Sequence, residues 1–174
     1  PYSPISRHWK KIISGGGILS RYKVSEGYNL ILEKPDFFWA YKKFYLHRYF
    51  QVVQLNLSSN ESYYIINVHL EAFDQKKREA EISQLIQMIK KLQKEKEVLI
   101  LAGDFNCEYE ECEMIAKELD FMKAPDKKLT TFPADNPHKK LDRIFVSRNW
   151  EISTFTRLET GTLSDHSPLF MKIK

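Results

Sequence analysis

Cysteine and glycine are scarce in this sequence, with two of the former and six of the latter in 174 residues. Cys107 and Cys112 are too few and too close together to build a disulfide framework. No cluster of histidine or further cysteine stands near them, which argues against zinc. We expect Cys112 on a helix and Cys107 in a loop, both as reduced thiols, which suits a cytoplasmic protein. Long apolar runs are also missing. None approaches the roughly 20 residues that span a bilayer, so no transmembrane segment is expected, and Pro1 to Lys11 lacks the apolar stretch of a signal peptide. Repeats, low-complexity tracts and linkers are absent too. Charge of one sign is in small excess, 27 Lys and Arg against 23 Asp and Glu, for a net charge of +4. That balance excludes a basic tail and is compatible with an anionic substrate, or with nothing beyond solubility. A chain that starts at Pro1 and not at Met is expected to be processed or a fragment.

Apolar residues make up 43% of the chain and aromatic residues 13%, enough for a sizeable core in one domain. Asp74 to Lys96 carries Ile82, Leu85, Ile86, Ile89 and Leu92 at helical spacing, with Lys, Arg, Glu and Gln on the other face. Gln51 to Leu57 and Tyr63 to Val68 alternate around a turn and read as a hairpin. Val98 to Ala102 is a continuous apolar run, the pattern of a strand buried on both faces. Leu141 to Val146 and Pro168 to Ile173 complete the strands, and Glu111 to Leu119 forms a short helix. Gly15-Gly16-Gly17 fits a bend before a short strand at Ile18 to Arg21, or a flexible loop. Helices and strands mix without strict alternation, which favours α+β layers over a doubly wound parallel sheet.

Polar residues recur where the strands end. Asp104 and Asn106 follow Val98 to Ala102, Asp142 interrupts an apolar strand, Asp165 and His166 precede the last strand, and His69 closes an earlier one. A buried carboxylate needs a partner or a metal. His166 would suit Asp142, whose carboxylate would fix the imidazole tautomer. Each element alone is as easily a cap or a turn residue; their joint appearance at strand ends points to a shared site.

The segments GGGILSRYKV, HRYFQVVQL, NVHLEA, LAGDFN, KLDRIFVS and LSDHSPLFMKI, taken in this order, resemble the endonuclease/exonuclease/phosphatase family. That resemblance implies a four-layer α/β/β/α sandwich of two mixed sheets with the active site at the sheet edges. It also implies roles. Asp104 orients or deprotonates the attacking water, and Asn106 holds phosphate or a metal-bound water. Asp165 binds the divalent metal, with Asp104 and Asn106 as further candidate ligands. His166 contacts the scissile phosphate and is oriented by Asp142, His69 is a second catalytic histidine, and Arg48 binds substrate. Carboxylates and an amide without thiolates favour Mg²⁺ or Mn²⁺ over zinc.

The family's early Asn and its Gln-Glu pair find no match in Pro1 to Ser14. Residues 1–174 are therefore expected to form one truncated domain that lacks the N-terminal part of the fold and one metal ligand. The leading expectation is a Mg²⁺-dependent hydrolase of phosphodiester bonds, with nucleic acid as the substrate. The alternatives are a phosphatase or phospholipase acting on a small or lipid phosphoester, and an inactive binding module of the same fold. Phe37 to Phe50 interleaves aromatics with Lys42, Lys43, His47 and Arg48, a pattern of core strands that could also grip single-stranded nucleic acid or sit at a lipid interface. Lys127, Lys128, Lys139 and Lys140 flank the loop Leu129 to Pro133 and could meet phosphates.

Overall fold

A computed structural model of the chain describes residues 6–8, 12–35, 45–107, 109–123, 125, 129–159, 161 and 163–174. The elements in chain order are β1 (Ser6–His8), β2 (Ile12–Ser14), β3 (Lys23–Ile31), β4 (Tyr49–Asn56), β5 (Ser62–His69), α1 (Gln75–Leu92), β6 (Val98–Asp104), α2 (Tyr109–Glu118), β7 (Met122–Lys123), β8 (Asp142–Ser147), β9 (Ile152–Arg157) and β10 (Leu169–Ile173). Six strands form one mixed sheet in the order β3-β4-β5-β6-β8-β7. The β5–β6 pair is parallel and the others are antiparallel. Parallel neighbours need a long crossover, and α1 supplies it. A second, antiparallel sheet pairs β9 with β10. A further antiparallel pair joins β1 to β2.

The helix at α1 forms where its apolar stripe predicts. Asp74 caps it, its side chain accepting from the Lys77 N–H at 3.1 Å, which satisfies one of the free first-turn donors. Ile82, Leu85, Ile86, Ile89 and Leu92 are buried. They join Ile115 and Leu119 from the α2 segment, and Phe50, Val52, Ile66, Val68, Leu101 and Phe145 from the large sheet, in one core. Both helices thus pack on one face of the six-stranded sheet. By strand alternation Val53, Leu55 and Val146, also buried, lie on the opposite face.

The fold is the α+β sandwich expected. Its described residues fill three layers: helices, the six-stranded sheet and the β9–β10 pair, which touches β8 through β10. The second sheet is antiparallel over the described residues, not mixed. No described helix is long and apolar enough to cross a membrane.

Two local expectations change. Ile18 to Ser20 is irregular and the chain bends at Arg21, so the first long strand starts at Lys23. Leu19 is exposed, and a segment that buries so little has nothing to hold it in a sheet. Cys107 and Cys112 are not free thiols but are paired as a disulfide with Cα atoms 6.2 Å apart. Both are buried. The aromatic and basic residues at 36–44 lie outside the described residues, while Tyr45, Arg48, Tyr49 and Phe50 beyond them are buried core. Lys127 and Lys128 also lie outside the described residues.

Candidate active site

Strand register brings the predicted residues together. Tyr49 on β4 sits opposite His69 on β5, His69 opposite Asp104 on β6, and Asp104 opposite Asp142 on β8. Neighbouring strands lie about 4.8 Å apart, so these four residues form one row across the end of the sheet. Alternation puts the row on the face away from the helices, since Phe50, Val68 and Phe145, each one or three positions off the row, belong to the helix-facing core.

Two backbone features shape the row's end. Gly103 has φ of +139°, and a Cβ there would sit 2.1 Å from the Val68 carbonyl oxygen. Only glycine permits this approach of β6 to β5. Asn106 takes a left-handed φ of 47°, which asparagine tolerates well. Its backbone N–H donates to Asp104 Oδ1 at 2.9 Å, closing a tight turn. Its side-chain amide donates to the Leu70 carbonyl at 3.0 Å and to Asp104 Oδ2 at 3.2 Å. Both partners are acceptors, which fixes the amide orientation and leaves the Asn106 Oδ1 as the atom available to a ligand.

His166 arrives from the loop before β10. Its Nδ1 meets Asp142 Oδ2 at 2.7 Å, and its ring lies against Phe132 with centroids 4.9 Å apart. The loop carrying Phe132 is tied on both sides of the site. The buried Thr131 accepts from the Asp142 N–H through its hydroxyl and from the Ser167 N–H through its carbonyl. Burial pulls the His166 pKa down, but the hydrogen bond to Asp142 and the charges of Asp142, Asp104 and Asp165 outweigh it, so the pKa lies above that of an ordinary histidine. For Asp104, burial and the nearby Asp142 charge raise the pKa more than the Asn106 N–H, His166 and Arg48 lower it.

His69 behaves differently. Burial, helped by the charges of Arg48 and His166, lowers its pKa to about 3, so its ring is neutral at ordinary pH. Arg48 Nη1 stands 2.5 Å from His69 Nε2. An arginine can only donate, so Nε2 is the acceptor and Nδ1 carries the proton. The 3.6 Å approach of Nε2 to Asp104 Oδ2 is then not an ion pair. Arg48 also donates from Nη2 to the Tyr45 hydroxyl at 2.9 Å. That hydroxyl lies 2.6 and 2.7 Å from the two oxygens of Glu71 and donates to the carboxylate. Burial, followed by the Glu71 hydrogen bond, raises the Tyr45 pKa to about 12, which keeps it a donor.

Glu71 was not singled out in the sequence. It is fully buried, with Tyr45 and the Phe73 and Asp74 N–H groups on its oxygens, and it serves as an internal brace. The sequence reading also missed Tyr45 and the pair Arg78–Glu111, which joins α1 to α2 through bonds of 2.7 and 3.0 Å. Glu71 stands two residues after His69 in NVHLEA, and that spacing is the one signal that could have marked it; Tyr45 gives none.

Asn106 and His166, hydrogen-bonded to Asp104 and Asp142 of the row, line a cleft of about 740 Å³ whose wall also includes Phe132, Lys139, Phe73 and Arg78. Asp165, the expected metal ligand, is exposed beside it, and its backbone carbonyl accepts from the Ala134 N–H at 2.8 Å. Among the described residues no three His, Cys, Asp or Glu side chains converge as a metal cluster. Oxygen donors without thiolates fit a hard divalent cation, and the described residues supply part of such a shell, not the whole.

Comparison with known proteins identifies the fold. Among curated protein sequences none matches significantly. An endonuclease/exonuclease/phosphatase family protein from Bacteroides thetaiotaomicron is similar in structure, with TM-score 0.68 and 18% identity over 87% of this chain and 63% of that one. A mannosyl-6-phosphatase from Bacteroides thetaiotaomicron superimposes with TM-score 0.66 and 18% identity, covering 88% of this chain and 67% of that one. D. rerio TDP2 complexed with a single-strand DNA product gives TM-score 0.66 and 17% identity, covering 88% and 69%. The chain thus spans 63% of the length of the first of these structures. The model of the endonuclease/exonuclease/phosphatase family matches residues 1–166, and the chain belongs to that family.

Proposed function

We propose that this protein is a divalent-metal-dependent phosphoesterase that hydrolyses phosphodiester bonds in nucleic acid. The observation that carries the reading is the Asp142–His166 pair at 2.7 Å, standing in register beside Asp104. Such a pair holds a protonated imidazole ready to donate. With Nδ1 committed to Asp142, Nε2 is the atom that would meet a phosphoryl oxygen as negative charge develops there. Asp104 orients the attacking water and accepts its proton. Asn106 anchors that carboxylate through two hydrogen bonds and offers its Oδ1 to the water.

Arg48 and His69 act together in this reading. A neutral His69 fixes the Arg48 guanidinium beside Asp104, and Glu71, through Tyr45, fixes its other end. Arg48 then supplies positive potential to the substrate phosphate, and His69 positions it without moving a proton. Mg²⁺ or Mn²⁺ is the expected metal; Asp165 and Asp104 are the residues that would hold it, and it would offset charge on the phosphoryl oxygens.

The test is turnover of single-stranded DNA, RNA and small phosphate esters with Mg²⁺, with Mn²⁺ and with EDTA. Metal-dependent cleavage of nucleic acid supports the proposal. Hydrolysis of monoesters or lipid phosphoesters alone would move the protein to the phosphatase or phospholipase reading. Tight binding without turnover in any metal would make it a binding module.

A further inference from the structure

The wall of the cleft holds a large aromatic side chain that the reaction does not use. Phe73 is 72% exposed yet lines the same cleft as Asn106 and His166. Its backbone is not loose. The Phe73 N–H donates to the buried Glu71 at 2.9 Å, the next residue caps α1, and the ring packs edge-on to Tyr45 with centroids 6.2 Å apart. Two sides of the ring's support are therefore buried and hydrogen-bonded, while most of its surface meets water. A single exposed apolar residue is ordinary on a protein surface. One held in place at the mouth of a catalytic cleft offers a preorganised stacking surface, because little conformational freedom remains to be lost when a planar group settles on it. Lys139 in the same cleft adds positive charge for an anionic ligand.

We propose that Phe73 is a specificity-determining residue, a platform for a planar aromatic group attached to the phosphoester, such as a nucleobase. This rests on the phosphoesterase reading and names the substrate class that the cleft selects. A ring platform favours single-stranded nucleic acid or nucleotide esters over sugar or alkyl phosphates, since every base offers a planar π-face to stack on the ring and a sugar or alkyl phosphate has no π-system.

The experiment is an NMR titration of the metal-loaded protein with adenosine 5′-monophosphate and with ribose 5-phosphate, following the His166 ring and the Phe73 ring; no turnover is needed. The wild type should bind the nucleotide about 5- to 150-fold more tightly than the sugar phosphate, the range expected for one stacked base. Phe73→Ala should lose that preference while binding ribose 5-phosphate as before, and Phe73→Trp should keep it. Ribose 5-phosphate that binds as well as the nucleotide, or a preference that survives Phe73→Ala, overturns the platform alone. If neither ligand shifts the His166 resonances, the phosphoesterase reading falls and the platform with it.

Discussion

Asp142→Asn is the substitution whose effect the structure defines most closely. The change keeps the size of the side chain and removes its charge. In the wild type the carboxylate lies 2.7 Å from His166 Nδ1, and it both hydrogen-bonds to the ring and attracts its positive charge. A hydrogen bond to a charged group contributes about 1.5–3 kcal/mol, equivalent to roughly 10- to 150-fold in rate if it is fully expressed in the transition state. We therefore predict a fall in kcat/KM of about that size, and a larger one if the amide inverts the tautomer of the ring. The pH profile gives the sign. His166 acts as the protonated form, and its raised pKa keeps that form to higher pH. With Asp142 neutral, its hydrogen bond to the cation and its charge no longer raise the pKa, the pKa drops, and the alkaline limb of the profile moves to lower pH. Steady-state rates from pH 5 to 9 and an NMR titration of the His166 ring read the two effects separately. An Asn variant with the wild-type rate and the wild-type alkaline limb would refute the orienting role.

Two further predictions use other buried groups. His69, with a pKa of about 3, should show no titration between pH 5 and 8 in long-range ¹H–¹⁵N spectra and should carry its proton on Nδ1. Because its pKa is depressed, it contributes stability above the ordinary histidine pKa that is lost as pH falls below it; a midpoint near 6.5 would overturn the Arg48 contact. Glu81 accepts from the Glu71 N–H at 2.8 Å, and burial, with the Glu71 charge adding to it, raises its pKa from 4.5 to about 7. Stability from its bound proton is complete below the ordinary pKa and lost as pH rises through about 7, so Glu81→Gln should gain about 2 kcal/mol on the wild type at pH 8 and little at pH 5 by urea unfolding. Parallel curves for the two proteins at both pH values would assign the pH dependence to another group.

The elements with strong periodicity were legible. The α1 stripe, the β4–β5 hairpin and the apolar run of β6 are found within a few residues of their predicted ends, because burial of one face dictates that spacing. The residues of the site were legible as types at strand ends. Their convergence on one site was expected, but the order of the row Tyr49–His69–Asp104–Asp142 was not, because it depends on register between strands, and no single strand encodes its register. The division of labour between the two histidines was hidden for a related reason. The Asp142 partner of His166 was anticipated, but nothing in the sequence showed that Arg48 stands against His69 and makes it a neutral positioning ring and not a second proton donor. The Lys23 to Ile31 strand escaped notice because it lies at the sheet edge and is mostly exposed, so its apolar pattern is weak. The cysteine pair escaped because the turn at Asn106 sets its partners.

The most direct test of the central claim is the rate of phosphodiester hydrolysis by the wild type, Asp104→Asn and His166→Ala under one set of conditions with Mg²⁺. The row should act as one catalytic unit. Each variant should lose at least about 100-fold in kcat, in line with loss of general base or of transition-state charge stabilisation, while circular dichroism and thermal unfolding stay close to wild type. Wild-type kcat in either folded variant would show that the end of this sheet is not where the chemistry happens.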